Sequence, residues 1–250
     1  MSEYLMRDTA PLNDSEWESL DSVVVKVASQ FLVGRQFIDL VGPLGAGAEM
    51  VPVGTGEKRK FLTLQLIQED FTLFWKDIEA SRKAGSPLEL GPAAKAAMAC
   101  AYQEDAMIFQ TLADSAVKSV SLGNWDEGEI PLTNVVQATE QLVSDNFFGP
   151  YAVIVSPALY TKTQRIATNA GMLVSKLVKG VAEGGLFQSP LLDKAQGLVV
   201  SLGKHNMDLV IGQDLITAYT GNEGLNHTFS VLESLVLRVK RPGAVCKLGK

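Results

Sequence analysis

The sequence predicts an α/β protein, and three patterns carry that prediction. Apolar residues at Trp17, Leu20, Val24, Val27 and Phe31 recur at spacings of three and four, the period of one helix face. Phe229, Val231, Leu235, Leu237 and Val239 alternate with period two, the pattern of one strand face, and Glu233 falls among them. Between these ends, short apolar runs such as Tyr151 to Val155 alternate with helical segments. With 250 residues, 46% of them hydrophobic and 20% charged, the chain can bury roughly 70–75% of its unfolded surface, which excludes global disorder. Length alone allows one large domain or two small ones.

At the N-terminus, Asn13 can cap a helix, Glu16 can reach back to it, and Leu12 and Trp17 occupy the staple positions. The apolar stripe of this helix needs a cover, either the body of its own subunit or, in part, a partner peptide. Arg35 to Val41 alternates like a strand, and Gly42 to Gly47 (GPLGAG) breaks it. From Val51 to Leu66, two extended runs flank the turn residues Gly54 to Lys60, which predicts a projecting hairpin. Phe71 to Arg82 (FTLFWKDIEASR) starts extended and becomes helical, closing at Gly85-Ser86-Pro87. Pro92 opens an alanine-rich helix, Ala93 to Phe109, at the first turn, where its missing N–H costs nothing. Ala94, Ala97, Ala101 and Ile108 on one side, with Met98, Tyr102 and Phe109 on another, let neighbours approach it closely, so it reads as a buried spine.

The polar turn cluster Asn124 to Pro131 (NWDEGEIP) marks a boundary. Beyond it the pattern predicts an amphipathic helix over Thr133 to Phe147 and a buried strand over Tyr151 to Val155. Helices over Pro157 to Ala170 and Met172 to Glu183 follow, then short strands over Gly197 to Leu202 and Leu209 to Gly212, and the long last strand. Glu233, on the apolar face of that strand, needs a partner or an opening to solvent.

Chemistry-bearing residues are scarce. The two His and two Cys, His205, His227, Cys100 and Cys246, show no metal-site spacing, so no metal site is expected. Two distant cysteines make no disulfide framework, and with no signal-peptide pattern the expected compartment is the reducing cytoplasm. No apolar run approaches the ~18 residues of a membrane span. A net charge of -6 opposes binding to nucleic acid. The basic cluster Arg238, Lys240, Arg241, Lys247 and Lys250 reads as a solvated strand end. There is no G-x-S-x-G, H-E-x-x-H, C-x-x-C or G-x-G-x-x-G. Gly197 to Lys204 (GLVVSLGK) miscounts as a phosphate loop, having five residues between its glycines and His205 in place of Ser or Thr. Glu104 and Asp105 point about 100° apart on a helix and would not jointly hold a proton or metal, so a solvated or interface face is expected. His205 and His227 could each act as a general base but sit beside turn residues, which favours structural roles. Cys100 reads as a small buried hydrophobe and Cys246 as the more reactive thiol. The residues alone show no catalytic site.

Read in order, several segments resemble the encapsulin shell proteins. They are Gly34 to Asp39 with Gly42-Pro43-Leu44-Gly45, FTLFWKDIEASR, Gln103 to Phe109 (QEDAMIF), Gly149-Pro150-Tyr151, Gln213-Asp214-Leu215, and the strand ending at Arg241-Pro242. The matches run from the N-terminal helix to about residue 248 in the family's order. The resemblance implies the fold of the HK97 phage capsid protein and a chain that assembles with itself into a closed icosahedral shell around cargo enzymes. It implies a P-domain from residues 1–45, 67–125 and 223–242, an E-loop over 46–66, and an A-domain from 131–222 and 243–250. In such shells a loop of the A-domain lines the fivefold pore, here expected within Leu173 to Leu186 near Lys176, Lys179 and Glu183. Cargo carries a short terminal targeting peptide that docks on the inner wall, for which Val27, Phe31, Leu32 and Leu235 are the candidates. Some relatives bind flavin beside a tryptophan in the segment matching Phe71 to Trp75. Gln68 and Glu69 stand where the accompanying arginine would be, so no flavin is expected on this shell.

Two departures from the family fall at subunit contacts, a shortened E-loop and the run Gln110 to Ser121 (QTLADSAVKSVS). The wording of GPLGAG, WKDIEASR and QEDAMIF is most similar to shells with ferritin-like, iron-storing cargo, with dye-decolourising peroxidase next. The competing readings are a phage major capsid protein of the same fold and an enzyme using His205 or His227.

Overall fold

The computed structural model describes residues 3–167 and 171–249. Helix α1, Asp14–Phe31, starts on the predicted reciprocal cap: Glu16 N–H donates to the Asn13 side chain and Asn13 N–H to the Glu16 carboxylate. Trp17, Leu20, Val24 and Ala28 form its buried face, and Trp17 meets Phe229 edge-on at 5.6 Å. The expected strand at Arg35 to Val41 is instead a 3-10 turn, Gly34–Gln36, followed by a two-residue strand β1, Leu40–Val41. The cause is Asp105, whose carboxylate accepts the N–H groups of Val33 and Gly34 at 2.9 Å each. A Cβ at Gly34 would lie 2.6 Å from the Cδ1 tip of Ile108, so the absence of a side chain lets this turn sit close against α3.

Strands β2, Met50–Val53, and β3, Lys60–Thr63, pair antiparallel in the expected hairpin. Its inner face is not free: Val51, Leu62 and Leu64 pack on Val210 and Val236. Strand β4, Gln65–Leu73, runs into α2, Trp75–Ala84, which Gly85 closes in the left-handed region at φ 62°. Helix α3, Gly91–Ser115, carries Pro92 in its first turn and extends six residues past the expected Phe109; its 25 residues span about 37 Å. Ala93, Ala97, Cys100, Ala101, Ile108 and Leu112 lie on its buried face, so the spine reading holds.

Next come β5, Lys118–Val120, α4, Ile130–Ser144, β6, Tyr151–Val155, α5, Pro157–Thr163, α6, Val174–Val181, β7, Gly185–Gln188, and β8, Gly197–Ser201. Helix α5 stops at Thr163 rather than continuing, and residues 168–170 of the expected helix lie outside the described residues. The short strand expected at Leu209 to Gly212 is part of a 17-residue strand β9, Met207–Glu223. It pairs with β10, Asn226–Val239, along nearly the whole length of both. Register shifts near Leu232 and Ser234 interrupt the pairing, and Gln213 and Asp214 interrupt the apolar run of β9, which is why its continuity is hidden in the pattern. Strand β11, Val245–Leu248, ends the chain's regular structure.

One sheet has the order β1-β9-β10-β4 and carries α1 and α3 on one face; the other has the order β5-β11-β8-β6-β7 with α4 packed on it. The sheets divide the chain differently from the sequence segmentation at two places. β5 joins β11 in the five-stranded sheet, and β9 joins its hairpin partner β10 in the four-stranded one. Phe37, against Phe109 at 6.5 Å and Phe187 at 5.4 Å, ties the two parts into one core.

Candidate functional site

The turn that Asp105 pins delivers Arg35 into the interior beneath α1. There Arg35 Nε and Nη2 donate to Glu104 at 2.8 Å each, Nη2 donates to Glu233 at 2.8 Å, and Nη1 donates to Asp214 at 2.7 Å. The Glu104 and Glu233 side chains are completely buried. The expectation of a solvated face for Glu104 and Asp105 is therefore corrected. They do diverge, but onto adjacent parts of one buried turn, Glu104 to the Arg35 side chain and Asp105 to the backbone before it. Glu233 finds the partner its position demanded. Burial, reinforced by the Glu104 charge and opposed by Arg35, pushes the Glu233 carboxyl up to about 9. Burial also pushes Asp105 up to about 6 against the hydrogen bonds from Gly34 and Val33. Burial works against the Arg35 charge, but Glu104, Asp214 and Glu233 outweigh it and raise its pKa.

Above this cluster, between α1 and β9, lies a cleft of about 260 Å³ lined by Val25, Ala28, Ser29, Leu32, Arg35, Gln36, Asp214 and Leu215. Of the four predicted docking residues, only Leu32 lines it. Val27 and Phe31 are half-buried on a different face of α1, with the Phe31 ring against Tyr102 at 5.6 Å. Leu235 is 0% exposed in the core, which corrects its assignment to a docking surface: its strand face is turned inward under α3. Of the other lining residues, Val25 and Ser29 did leave a signal in the sequence. Val25, Ala28, Ser29 and Leu32 form a second, shorter helical series beside the main stripe, and Val25 is 56% exposed.

Lys176 and Lys179 are exposed on α6 and Glu183 is exposed just beyond it, opposite the buried Val174 and Val178. At the far end of β10, Arg238 and Lys240 clasp the buried Asp208 at 2.6–2.9 Å. Arg241 bonds Asn206 and the Asn146 carbonyl and lies over the Phe147 ring at 4.4 Å. This part of the basic cluster is thus an intramolecular clasp and not a solvated strand end; Lys250 lies outside the described residues. Cys246 is fully buried and its thiol is pushed up to about 11 by burial, so it is not the reactive thiol expected. Cys100 is likewise pushed up to about 12. His227 lies 3.4 Å from the Tyr219 hydroxyl and is lowered by burial and the Arg82 charge. Among the described residues no group of three or more metal-ligating side chains converges, and no helix is long and apolar enough to cross a membrane.

The profile of the family described as "Encapsulating protein for peroxidase" matches residues 1–236. This chain belongs to that family, the encapsulin shell proteins. The type 1 encapsulin shell protein EncA of Myxococcus xanthus (strain DK1622) is 38% identical to it over 278 aligned positions, covering 99% of this chain and 97% of that one. A virus-like particle protein from Pyrococcus furiosus superposes with a TM-score of 0.80 at 20% identity, over 93% of this chain and 98% of that one. The capsid protein of the myovirus phage XM1 superposes at 0.58 and 11% identity, over 88% and 92%. These two likenesses show the HK97-like capsid fold. An encapsulin is a structural shell component and not an enzyme, and its copies assemble into a nanocompartment.

Proposed function

We propose that this encapsulin encloses a ferritin-like, iron-storing cargo in the cytoplasm, and that the cargo's terminal peptide docks in the cleft between α1 and β9. The observation that carries the docking reading is the cleft itself. There an exposed apolar side chain, Val25, lines the same cleft as Leu32 of the α1 end and Leu215 of β9, together with the charged Arg35 and Asp214. An extended peptide with few anchors binds each such cleft weakly and gains from the many copies in one shell. The four-stranded sheet with α1 to α3 corresponds in this reading to the P-domain, the β2–β3 hairpin to the E-loop, and the five-stranded sheet with α4 to α6 to the A-domain. Lys176, Lys179 and Glu183, on the surface of that second part, set the charge of the fivefold pore.

The cargo assignment rests on the wording of GPLGAG, WKDIEASR and QEDAMIF; a peroxidase cargo is the second reading, favoured by the description of the matching family. A phage capsid role is disfavoured by the 38% identity to a shell protein against 11% to a capsid protein. The test is co-expression with a ferritin-like protein ending in a targeting peptide. The Val25→Asp shell is expected to assemble normally yet retain less than a tenth of the wild-type cargo; equal loading would overturn the docking site. Lys176→Glu with Lys179→Glu is expected to change the rate of ferrous iron uptake by loaded shells severalfold, and an unchanged rate would remove these residues from the pore.

A further inference from the structure

The Arg35 cluster does something that neither docking nor assembly requires. One guanidinium serves three carboxyl groups: Glu104 and Glu233, both completely buried, meet on the same Nη2 at 2.8 Å each, while Asp214 takes Nη1. The second oxygen of Glu233, Oε1, is buried and has no donor. Asp214 is open to solvent, but two completely buried anions on one cation, with an oxygen left dry, is an arrangement that ionisation cannot sustain, since an unpaired buried charge costs several kcal/mol. A neutral carboxyl removes the conflict, because its O–H can donate to the Glu104 carboxylate.

We propose that Glu104 and Glu233 share one proton over Arg35, and that losing it in alkaline solution opens the cleft between α1 and β9. The path follows from the wall of the cleft. Arg35 and Asp214 separate the buried carboxyl pair from solvent, so water reaches an ionised Glu233 by parting them. The turn Gly34–Gln36 and the middle of β9 would move with them.

Other groups around the pair do not supply the missing compensation. On α3, Asp105 is held by the Val33 and Gly34 N–H groups, and Cys100 donates to the Val231 carbonyl at 3.4 Å. On β4, Glu69 is bonded to Gln103. The α1 wall of the cleft, Val25, Ala28, Ser29 and Leu32, has no titratable group. Burial and the Glu104 charge hold the Glu233 proton to about pH 9, consistent with the geometry.

The test uses assembled shells of the wild type, Glu233→Gln and Glu104→Gln. Infrared difference spectra from pH 6 to 11 read the carbonyl stretch of a buried protonated carboxyl, and hydrogen exchange reads residues 33–36 and 213–215. The wild type is expected to show one such band per chain at pH 7, absent from Glu233→Gln and lost on the alkaline side. Exchange of both segments should accelerate severalfold over Glu233→Gln at the same alkaline pH. In Glu104→Gln, which removes the anionic neighbour, the band should disappear at lower pH. No band in the wild type, a band that survives Glu233→Gln, a Glu104→Gln titration unmoved, or exchange equal in the two shells would each overturn the proposal. Glu104→Gln and the wild-type titration keep the test decisive should Glu233→Gln fail to assemble.

Discussion

Two ion clusters lie on the β9–β10 pair, one at its middle and one at the end away from the hairpin turn, and are built with opposite charge excess. Around Arg35 one cation faces Glu104, Glu233 and Asp214; around Asp208 one carboxylate faces Arg238 and Lys240. Surplus anion in a dry site must be neutralised by a proton, whereas surplus cation on long side chains reaches water, and the Arg238 and Lys240 side chains are 18% and 30% exposed. The first cluster is therefore a place where protonation matters near and above neutrality. The second is a plain clasp in which burial of Asp208 is outweighed by its bonds to Arg238 and Lys240, so its pKa is lowered.

Removing the minority charge from each cluster breaks the comparison most directly. Arg35→Met strands two completely buried carboxyl groups and frees Asp214, and should lose about 3–5 kcal/mol in denaturant unfolding. Asp208→Asn leaves cations that can turn to solvent, so its loss should be nearer 2 kcal/mol, about that of a charged hydrogen bond. Equal losses would mean that the sign of the excess is irrelevant.

The pH dependence sharpens the contrast. Asp208 is lowered on folding from an ordinary value of 3.8, so its contribution is present above that pH and is lost as pH falls through the folded value. Glu233 is raised from 4.5 to about 9, so the folded state binds the extra proton and stability declines as pH rises between those values. Asp208→Asn should flatten the acid limb of the stability profile and leave the alkaline limb unchanged, as thermal unfolding across pH would record.

The same contrast shows what could be read in the sequence. The α1 cap, the β2–β3 hairpin, the spine helix and β6 are local signals, set by caps, turn residues and periodicity within a few positions. The need of Glu233 for a partner was also legible, because a carboxylate on an apolar strand face is conspicuous. Its partner was not, since Arg35 lies 198 positions away and was hidden in a stretch that alternates like a strand. The turn there is imposed by Asp105, on another helix, and no local pattern reports it. Leu235 was misplaced for a related reason: alternation shows that a strand has an apolar face, not whether α3 or solvent covers it. The cleft needed both the minor α1 series and Asp214-Leu215 of β9, segments that only the fold brings together.

Closure of this chain into a shell around protein cargo can be seen by electron microscopy of the purified protein expressed together with a ferritin-like partner that bears a terminal targeting peptide. Uniform, closed, hollow particles with ordered density against the inner wall at the cleft of α1 and β9 are expected. Small open oligomers, or closed particles with bare inner walls although cargo was supplied, would contradict it.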